Sequence, residues 1–341
     1  MNARRLLGMA MVMASLLACS PKAGADSPAA WQQWQHLTGV VDVAGPRSDG
    51  NFVVVAAGKM FLLTPDGAIS PFAQGNSGYS ANSKDDEAYL VVTPAGQHVQ
   101  AANCDFTPDD VFVLDIGSPQ GVDRVTPDGR ASRFASVPNV DLVNGIAFDT
   151  VGQFDHRLLV TAGASGSTKL LAIDCNGGVS TLTSSGPAVE GGIAVAPAGF
   201  GKFGGQLIAP DENSGKLWAF APDGSATEVI TPDLPTGGDT GVESLGFVPP
   251  GFSAAGTAYL ADRGTENNPF PGNDSILRLT SADLAAAGVQ EGDLLVSTEG
   301  GGTTVAVRCD AGGCKWMPAA GGSKGGHIEG HVLVLAGKPA Q

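Results

Sequence analysis

The sequence predicts an all-β protein, a β-propeller of six four-stranded antiparallel blades, from its composition and two recurring motifs. The 341 residues include 49 Gly and 22 Pro, while charged residues make up only 16% of the chain. Many short strands joined by tight turns give such a composition. A turn motif and a strand-start motif, the latter at spacings of 57, 46 and 53 residues, mark repeating units of about 45–55 residues, a length typical of propeller blades.

The first motif is a Pro-Asp-Gly or Asn-Gly turn between two apolar segments. It occurs at residues 64–67, 126–129 and 222–224, with a variant at 174–177. Proline fixes φ, and Asp-Gly or Asn-Gly supplies the positive φ of a tight hairpin. Each copy therefore predicts the turn between the third and fourth strands of a blade.

The second motif is an acidic or amide residue followed by small and apolar residues, and it predicts the first strand of a blade. Its copies begin at Glu87, Asn144, Glu190 and Glu243. The two motifs together predict blades at 39–73, 87–135, 142–183, 188–231, 242–298 and 301–337. Seven blades are the alternative count.

Two further elements complete this prediction of the fold. The strand at 331–335 is expected to close the ring against the N-terminal segment. Residues 281–287 are expected to form a brief helix with Ser281 as its N-cap.

The start of the chain predicts export. An apolar run of thirteen residues follows Met1–Arg5, too short to span a bilayer but typical of a signal peptide. It ends in Leu16-Leu17-Ala18-Cys19, which resembles the bacterial lipobox and implies lipid attachment to Cys19. Cleavage after Ala25 is the alternative, and it would give a soluble secreted or periplasmic protein.

This interpretation divides the chain into three parts. They are a signal peptide at 1–18, a lipidated tether at 19–36 and a propeller at 37–341. The expected product is a monomer anchored by its lipid to a membrane of the bacterial cell envelope.

Four cysteines remain after Cys19, and an even number in an oxidising compartment predicts two disulfides. Three pairings are possible. The natural one joins Cys309 to Cys314 across a Gly-Gly turn, which leaves Cys104 to pair with Cys175. Zinc binding is the alternative, but the sequence has no CxxC spacing.

The formal net charge of −15 makes nucleic acid an unexpected partner, because an acidic surface repels phosphates. The first strand of each blade lines the channel of a propeller, so the four strand-start residues should meet at one mouth. The loops after the second strands should bring further polar residues there, namely Asp115, Asp211, Glu212, Asp262 and Arg263.

Oxygen ligands from separate blades suit Ca²⁺ or Mg²⁺, so Glu87, Asn144, Glu190 and Glu243 are the predicted metal ligands. The alternative is that polar residues line a wet channel with no metal. His327, Glu329 and His331 alternate along one side of a strand, where a neighbouring pair could share a metal. Their Gly-rich setting favours a loop without one.

The strand starts resemble those of gluconolactonase/regucalcin-like propellers and, more loosely, of NHL and streptogramin-lyase-like propellers. Asn144-Gly145 matches the metal-binding Asn-Gly of the first family, and Glu190-Gly191 stands where that family has a metal-binding Asp-Gly. Ala44 replaces the family's first ligand, a Glu, so the resemblance implies lactonase activity only if Glu87 or Glu243 supplies that oxygen. No histidine is expected to begin an inner strand, which argues against streptogramin-lyase chemistry.

Two functions follow, and the sequence assigns no catalytic residue to either. The first is a non-catalytic propeller that binds a small molecule, a glycan or a protein at the channel mouth. The second is a divalent-metal-dependent hydrolase or lyase acting on a sugar-derived substrate.

Overall fold

A computed structural model describes residues 28–84, 86–323 and 325–337, and it confirms six four-stranded antiparallel sheets around a central channel. The predicted signal peptide and Cys19 lie outside the described residues. Within the described part of the chain, no helix is long and apolar enough to cross a membrane.

Blades one to four follow one another along the chain, each running from an inner strand at the channel to an outer strand. Strand β1 (Gln32–His36) precedes them and belongs to the last blade. The four blades are β2–β5 (Val40–Ala44, Phe52–Ala56, Lys59–Leu63, Ile69–Phe72), β6 with β9–β11 (Leu90–Val92, Val111–Asp115, Gly121–Val125, Ala131–Ser136), β12–β15 (Leu142–Phe148, Leu158–Ala164, Ser167–Ile173, Val179–Gly186) and β16–β19 (Ala194–Val195, Leu207–Asp211, Lys216–Phe220, Ala226–Ile230). A short hairpin, β7–β8 (His98–Val99, Cys104–Asp105), is inserted in blade two.

The turn motif lies where the sequence places it. Each of its four copies joins the third strand of a blade to the fourth, in blades one to four. The turn glycines Gly67, Gly129, Gly177 and Gly224 have φ between 82° and 99°, the left-handed region that a residue with a Cβ atom rarely adopts.

Blades five and six differ from the prediction, because the chain leaves blade five after one strand and returns to it later. Blade five contains β20 (Val242–Phe247), β23 (Leu294–Thr298), β24 (Thr304–Asp310) and β25 (Gly313–Ala320). The hairpin between them, β21–β22 (Thr257–Asp262, Ser275–Thr280), belongs to blade six. It pairs with the inner strand β26 (Ile328–Leu335) on one side and with β1 on the other.

Both ends of the chain therefore contribute to blade six, but their strands do not pair with each other as expected. The His331 strand is the innermost of the blade and β1 is the outermost, so the propeller begins at Gln32 rather than at residue 37. Trp31, just before β1, is 6% exposed, and its Nε1 donates to Thr304 Oγ1 at 2.8 Å.

Three short helices lie between strands. They are α1 (Phe252–Ala255), α2 (Ser281–Ala286) and a single 3₁₀ turn (Gly201–Phe203). Helix α2 is the predicted one, but its N-cap is Thr280 rather than Ser281. Thr280 Oγ1 accepts from the amide of Asp283, whose carboxylate accepts from the amide of Thr280, so the two form a capping box.

Both predicted disulfides are confirmed. Cys309–Cys314 closes the hairpin between β24 and β25. Cys104–Cys175 joins the small hairpin of blade two to the turn between β14 and β15 of blade three. The second disulfide therefore links neighbouring blades across 71 residues of sequence.

The inner strands approach each other closely at glycines. A Cβ atom on Gly192 of blade four would lie 2.3 Å from the carbonyl oxygen of Gly330 in blade six. Gly330 has φ of 67°, and a Cβ atom there would lie 2.4 Å from Oδ1 of Asp42. Glycine is required at this constriction because no side chain fits between the strands.

His331 crosses the channel at this level. Its Nδ1 lies 2.8 Å from Oδ2 of Asp42 in blade one, and its Nε2 lies 2.9 Å from the carbonyl oxygen of Ile146 in blade three. Both ring nitrogens face acceptors, so both carry protons and the imidazole is charged. Burial lowers the pKa of His331, but the charge of Asp42 and the hydrogen bonds to Asp42 and to the Ile146 carbonyl together outweigh burial, so the net pKa is raised.

Candidate functional site

Acidic side chains from four blades meet in one depression of about 230 Å³ at the channel mouth. They come from the starts of inner strands, from loops that follow second strands and, for Asp239, from the loop that precedes β20. The depression is lined by Glu87, Glu190, Glu212, Gly238, Asp239, Glu243, Glu299 and Glu329. Seven carboxylates therefore lie close together, a costly arrangement unless protons or cations offset the charge.

Three of the neighbouring side chains have the geometry of a metal site. Glu299 follows β23, His327 precedes β26 and Glu329 lies within β26. His327 Nε2 is 3.2 Å from Glu299 Oε1 and 3.1 Å from Glu329 Oε1. Among the described residues, these are the His, Cys, Asp or Glu side chains that bring three ligand atoms within 4.8 Å of one another.

The backbone around His327 is held by the β21–β22 hairpin. Asp262, which is fully buried, accepts from the amide of His327 at 2.9 Å and from the side chain of Asn273 at 2.8 Å. The amide of Arg263 donates to the carbonyl of His327 at 2.7 Å. Nδ1 of His327 is buried and has no hydrogen-bond partner in the described part of the chain. The imidazole is therefore positioned through its backbone, with Nε2 directed at the two carboxylates.

Arg263 and Tyr89 connect the triad to the rest of the mouth. Arg263 Nη1 is 2.6 Å from Glu87 Oε1 and 3.1 Å from Glu329 Oε1. The Tyr89 hydroxyl is 2.8 Å from Glu243 Oε1 and 2.7 Å from Glu329 Oε2. A hydroxyl has one proton and donates to one acceptor at a time. One of the two carboxyls, Glu243 or Glu329, must therefore be protonated and donate to the Tyr89 oxygen.

The pKa values of the carboxyls reflect this crowding. Burial, then the charge of Glu329, raises the pKa of Glu299 to about 10, and the same two causes raise that of Glu243 well above its usual value. The charge of Glu329, followed by burial, raises the pKa of Glu87 to about 7 against the opposing effect of Arg263. Without a cation, the mouth therefore retains protons at neutral pH.

Glu329 is the exception. Burial alone would raise its pKa, but hydrogen bonding with His327 and the charge of Arg263 outweigh burial and lower it. Glu329 is therefore the carboxylate that stays ionised, at the centre of the network. Its negative charge also raises the pKa of four other carboxyls, those of Glu87, Glu190, Glu243 and Glu299.

A second cavity of about 140 Å³ adjoins the depression between blades two and three. Glu87 and Glu190 line both spaces, and Asn144 lines the second. Asn144 is 8% exposed, and its Nδ2 donates to the carbonyl of Val189 at 2.8 Å. Its Oδ1 is buried and has no hydrogen-bond partner within the described residues.

The structure brings most of the predicted mouth residues together. Glu87, Glu190 and Glu243 line the depression with Glu212, while Asn144 lines the adjoining cavity. The predicted assignment of a metal to Glu87, Asn144, Glu190 and Glu243 stays a prediction, and the triad offers the tighter ligand group.

The other predicted mouth residues have different roles. Arg263 pairs with mouth carboxylates, and Asp262 holds the His327 backbone. Asp211 lies in a small cavity beside Glu190 and Glu212. Asp115 does not line the depression, because it pairs with Arg133 of the outer strand β11 and accepts from Asn82.

The prediction that no histidine begins an inner strand was wrong, since His327 immediately precedes β26 and His331 lies within it. The expectation of a loop at His327–His331 was also wrong, because β26 begins at Ile328. The expectation that this segment binds no metal stays a prediction. The sequence did contain a signal. Glu329-Gly330 repeats the pattern of Asn144-Gly145 and Glu190-Gly191, in which the glycine permits the close approach of inner strands.

Comparison with known proteins gives a likeness in fold. No model of a protein family and no curated protein matches the sequence. Similar solved structures include virginiamycin B lyase from Staphylococcus aureus, 13% identical, covering 84% of this chain and 88% of that chain, with a TM-score of 0.45. A gluconolactonase from Xanthomonas campestris is 16% identical, covering 69% of each chain, with a TM-score of 0.42. The calcium-binding protein regucalcin from Agrobacterium tumefaciens is 11% identical, covering 70% of this chain and 74% of that chain, with a TM-score of 0.38.

Proposed function

We propose that this propeller is an exported protein, held to a membrane of the bacterial cell envelope by a lipid on Cys19, that binds a divalent metal ion at its channel mouth. The ion in turn binds a small polar molecule that enters from solvent. The observation that carries the metal site is the convergence of Glu299, His327 and Glu329 inside a depression of seven carboxylates. The lipobox-like sequence that ends at Cys19 supports lipid attachment and the membrane location.

The donor set favours a transition metal over the Ca²⁺ or Mg²⁺ expected from the sequence. One imidazole and two carboxylates suit Zn²⁺ or Mn²⁺, whereas Ca²⁺ and Mg²⁺ take oxygen ligands. Bonds of about 2.0 Å in a tetrahedron put neighbouring ligand atoms about 3.3 Å apart. The distances from His327 Nε2 to the two carboxylate oxygens are 3.2 and 3.1 Å, so both imidazole–carboxylate spacings match this geometry.

A metal bound by three protein ligands keeps positions open for an outside molecule, and it supplies Lewis acidity to a carbonyl or hydroxyl oxygen held there. The chain's own residues hold that molecule and its protons. Glu87 is accessible from solvent, with 42% of its side chain exposed, and it borders both cavities. The alternative function, a hydrolase or lyase, would use Glu87 as base, and turnover of a lactone or uronide by the metal-loaded protein would decide for it.

The metal site is tested by titrating the metal-free protein with Zn²⁺, Mn²⁺ and Ca²⁺ while measuring bound metal and melting temperature. We expect one Zn²⁺ or Mn²⁺ per chain and a rise in melting temperature, because an ion that binds only the folded state stabilises it. Glu299→Gln keeps the side-chain shape and removes one ligand charge, so affinity should fall by at least about 100-fold. Glu190→Gln is the matched control and should change affinity only a few-fold. No binding, or equal losses in both variants, would contradict the assignment.

The proposed attachment to the membrane is tested by replacing Cys19 with serine. Wild-type protein should partition with the membrane fraction, and its N-terminal peptide should carry the mass of a lipid. Cys19→Ser removes the thiol that accepts the lipid and should leave the protein out of the membrane fraction. A wild-type N-terminus at Asp26, with no lipid mass, would instead establish cleavage after Ala25.

A further inference from the structure

The cavity beside the metal triad presents hydrogen-bond acceptors to whatever enters it. Asn144 has already used its amide as a donor to Val189, so its free atom is the carbonyl oxygen Oδ1. Glu87 and Glu190 contribute carboxylates to the same cavity. In the adjoining depression, Glu212 is 7% exposed, and its Oε1 also lacks a partner among the described residues.

The donors near these acceptors already have partners. The Tyr89 hydroxyl lies between Glu243 and Glu329, and the Arg263 guanidinium contacts Glu87 and Glu329. A buried acceptor without a donor costs about 1–3 kcal/mol. A ligand that complements the cavity must therefore bring donors, and the carboxylates favour donors that carry positive charge.

Apolar side chains also line the cavity. Ile116, Leu142 and Val143 border the same volume of about 140 Å³ as the polar residues. A water molecule in the liquid occupies about 30 Å³, so the cavity has room for about four or five non-hydrogen atoms. Its mixed lining matches a molecule that is charged at one end and aliphatic at the other.

We propose that this cavity binds the ammonium group of an organic amine with a short aliphatic stem, as a site separate from the metal triad. Glu190, Glu87 and the Asn144 carbonyl oxygen accept from the three ammonium protons, and the apolar side chains contact the stem. The site uses none of the three metal ligands, so it goes beyond the proposed metal-binding function.

The set of acceptors favours an ammonium over a second metal ion. Among the described residues, Glu87 and Glu190 do not join a third His, Cys, Asp or Glu with ligand atoms within 4.8 Å, so they lack the clustered ligands of a metal site. An ammonium is instead held by charge-assisted hydrogen bonds, which two carboxylates and an amide oxygen can accept.

The test uses n-butylammonium as the probe, with 1-butanol and butanoate as uncharged and anionic counterparts of similar length. Binding to the purified protein is followed by ligand-observed NMR at pH 7 in low salt. We expect n-butylammonium to bind in the millimolar range, as a ligand of five non-hydrogen atoms should. Binding of 1-butanol should be at least tenfold weaker, and butanoate should not bind. Equal binding of 1-butanol or butanoate would overturn the proposal.

Variants separate this site from the metal site. Glu190→Gln and, as a second variant, Asn144→Leu should each weaken n-butylammonium binding at least tenfold while changing Zn²⁺ or Mn²⁺ affinity only a few-fold. Glu299→Gln should do the reverse, losing the metal and keeping the amine. Unchanged amine affinity in both Glu190→Gln and Asn144→Leu overturns the proposal. If the wild-type protein binds n-butylammonium as expected but binds no metal, the amine site is supported and the metal site is refuted.

Discussion

Replacing Asp42 by alanine is expected to lower the free energy of unfolding by about 4 kcal/mol, because a buried ion pair would lose one partner. Asp42 is fully buried in the inner strand of blade one. Its Oδ1 accepts from the amides of Val43 at 2.8 Å and His331 at 2.9 Å. Its Oδ2 accepts from the amide of Leu90 at 3.0 Å and from Nδ1 of His331 at 2.8 Å.

One carboxylate thus joins three blades of the ring. Leu90 lies in the inner strand of blade two and His331 in that of blade six, so Asp42 connects blade one to both of its neighbours. Alanine would leave three amides without this acceptor and His331 without its counter-charge. Each buried polar group left unpaired costs about 1–3 kcal/mol, and the charged imidazole can limit its cost by releasing a proton.

The measurement is denaturant unfolding of the wild type and two variants at one pH. Asp128→Ala is the matched control, since the Asp128 side chain is 63% exposed in a hairpin turn and its loss should change stability little. Asp42→Asn should fall between the two, because its amide keeps one acceptor and turns a donor toward Leu90 or His331. Equal stability of Asp42→Ala and Asp128→Ala would show that the ring does not depend on this contact.

The sequence predicts blades one to four well because their signals are local. Turns at 64–67 and 126–129 lie a few residues from the strands they join, so chain order and spatial order agree. Blades five and six depend on pairing between strands far apart in the chain. The hairpin Thr257–Thr280 has the same local pattern wherever it pairs, and its partners β26 and β1 come from opposite ends of the chain.

The same rearrangement explains why Glu299 was missed. The sequence assigns the loop after the second strand of blade five to residues 262–273, but the second strand of that blade is β23, which ends at Thr298. Glu299 therefore occupies the mouth position that the prediction gave to Asp262 and Arg263, which enter from blade six instead. Local spacing predicts that acidic residues meet at the mouth, whereas the identity of the ligand triad requires the correct strand order.

Metal-free protein should lose stability as pH rises from 6 to 9. Glu243 and Glu299 have pKa values raised above the unfolded value, so the folded state binds more protons than the unfolded chain across this range. The stability that protonated carboxyls contribute is complete below about pH 4.5 and is lost as pH rises through the folded pKa values. For each group the loss begins near the unfolded value of about 4.5 and ends at the folded pKa, which is about 7 for Glu87 and about 10 for Glu299.

Each retained proton gives a slope of about 1.4 kcal/mol per pH unit. With two buried carboxyls involved and allowance for solvent screening, we expect a loss on the order of 3 kcal/mol between pH 7 and 9. His331, whose pKa is also raised, acts in the same direction. Groups with lowered pKa, such as Asp128 and Asp223, affect stability only in acid and lie outside this window.

Thermal unfolding of the metal-free protein at pH 6, 7, 8 and 9 measures this loss, with Glu243→Gln as the informative variant. Glutamine keeps an oxygen that can face Tyr89 but cannot ionise, so the variant should show a shallower decline and higher stability than wild type at pH 9. Glu228→Gln, at an exposed pair with Lys216, should follow the wild-type slope. Bound Zn²⁺ or Mn²⁺ should flatten the wild-type decline, because the ion replaces the protons that offset the clustered charge. Stability that rises with pH in the metal-free wild type would mean that the mouth carboxyls are already ionised in the fold.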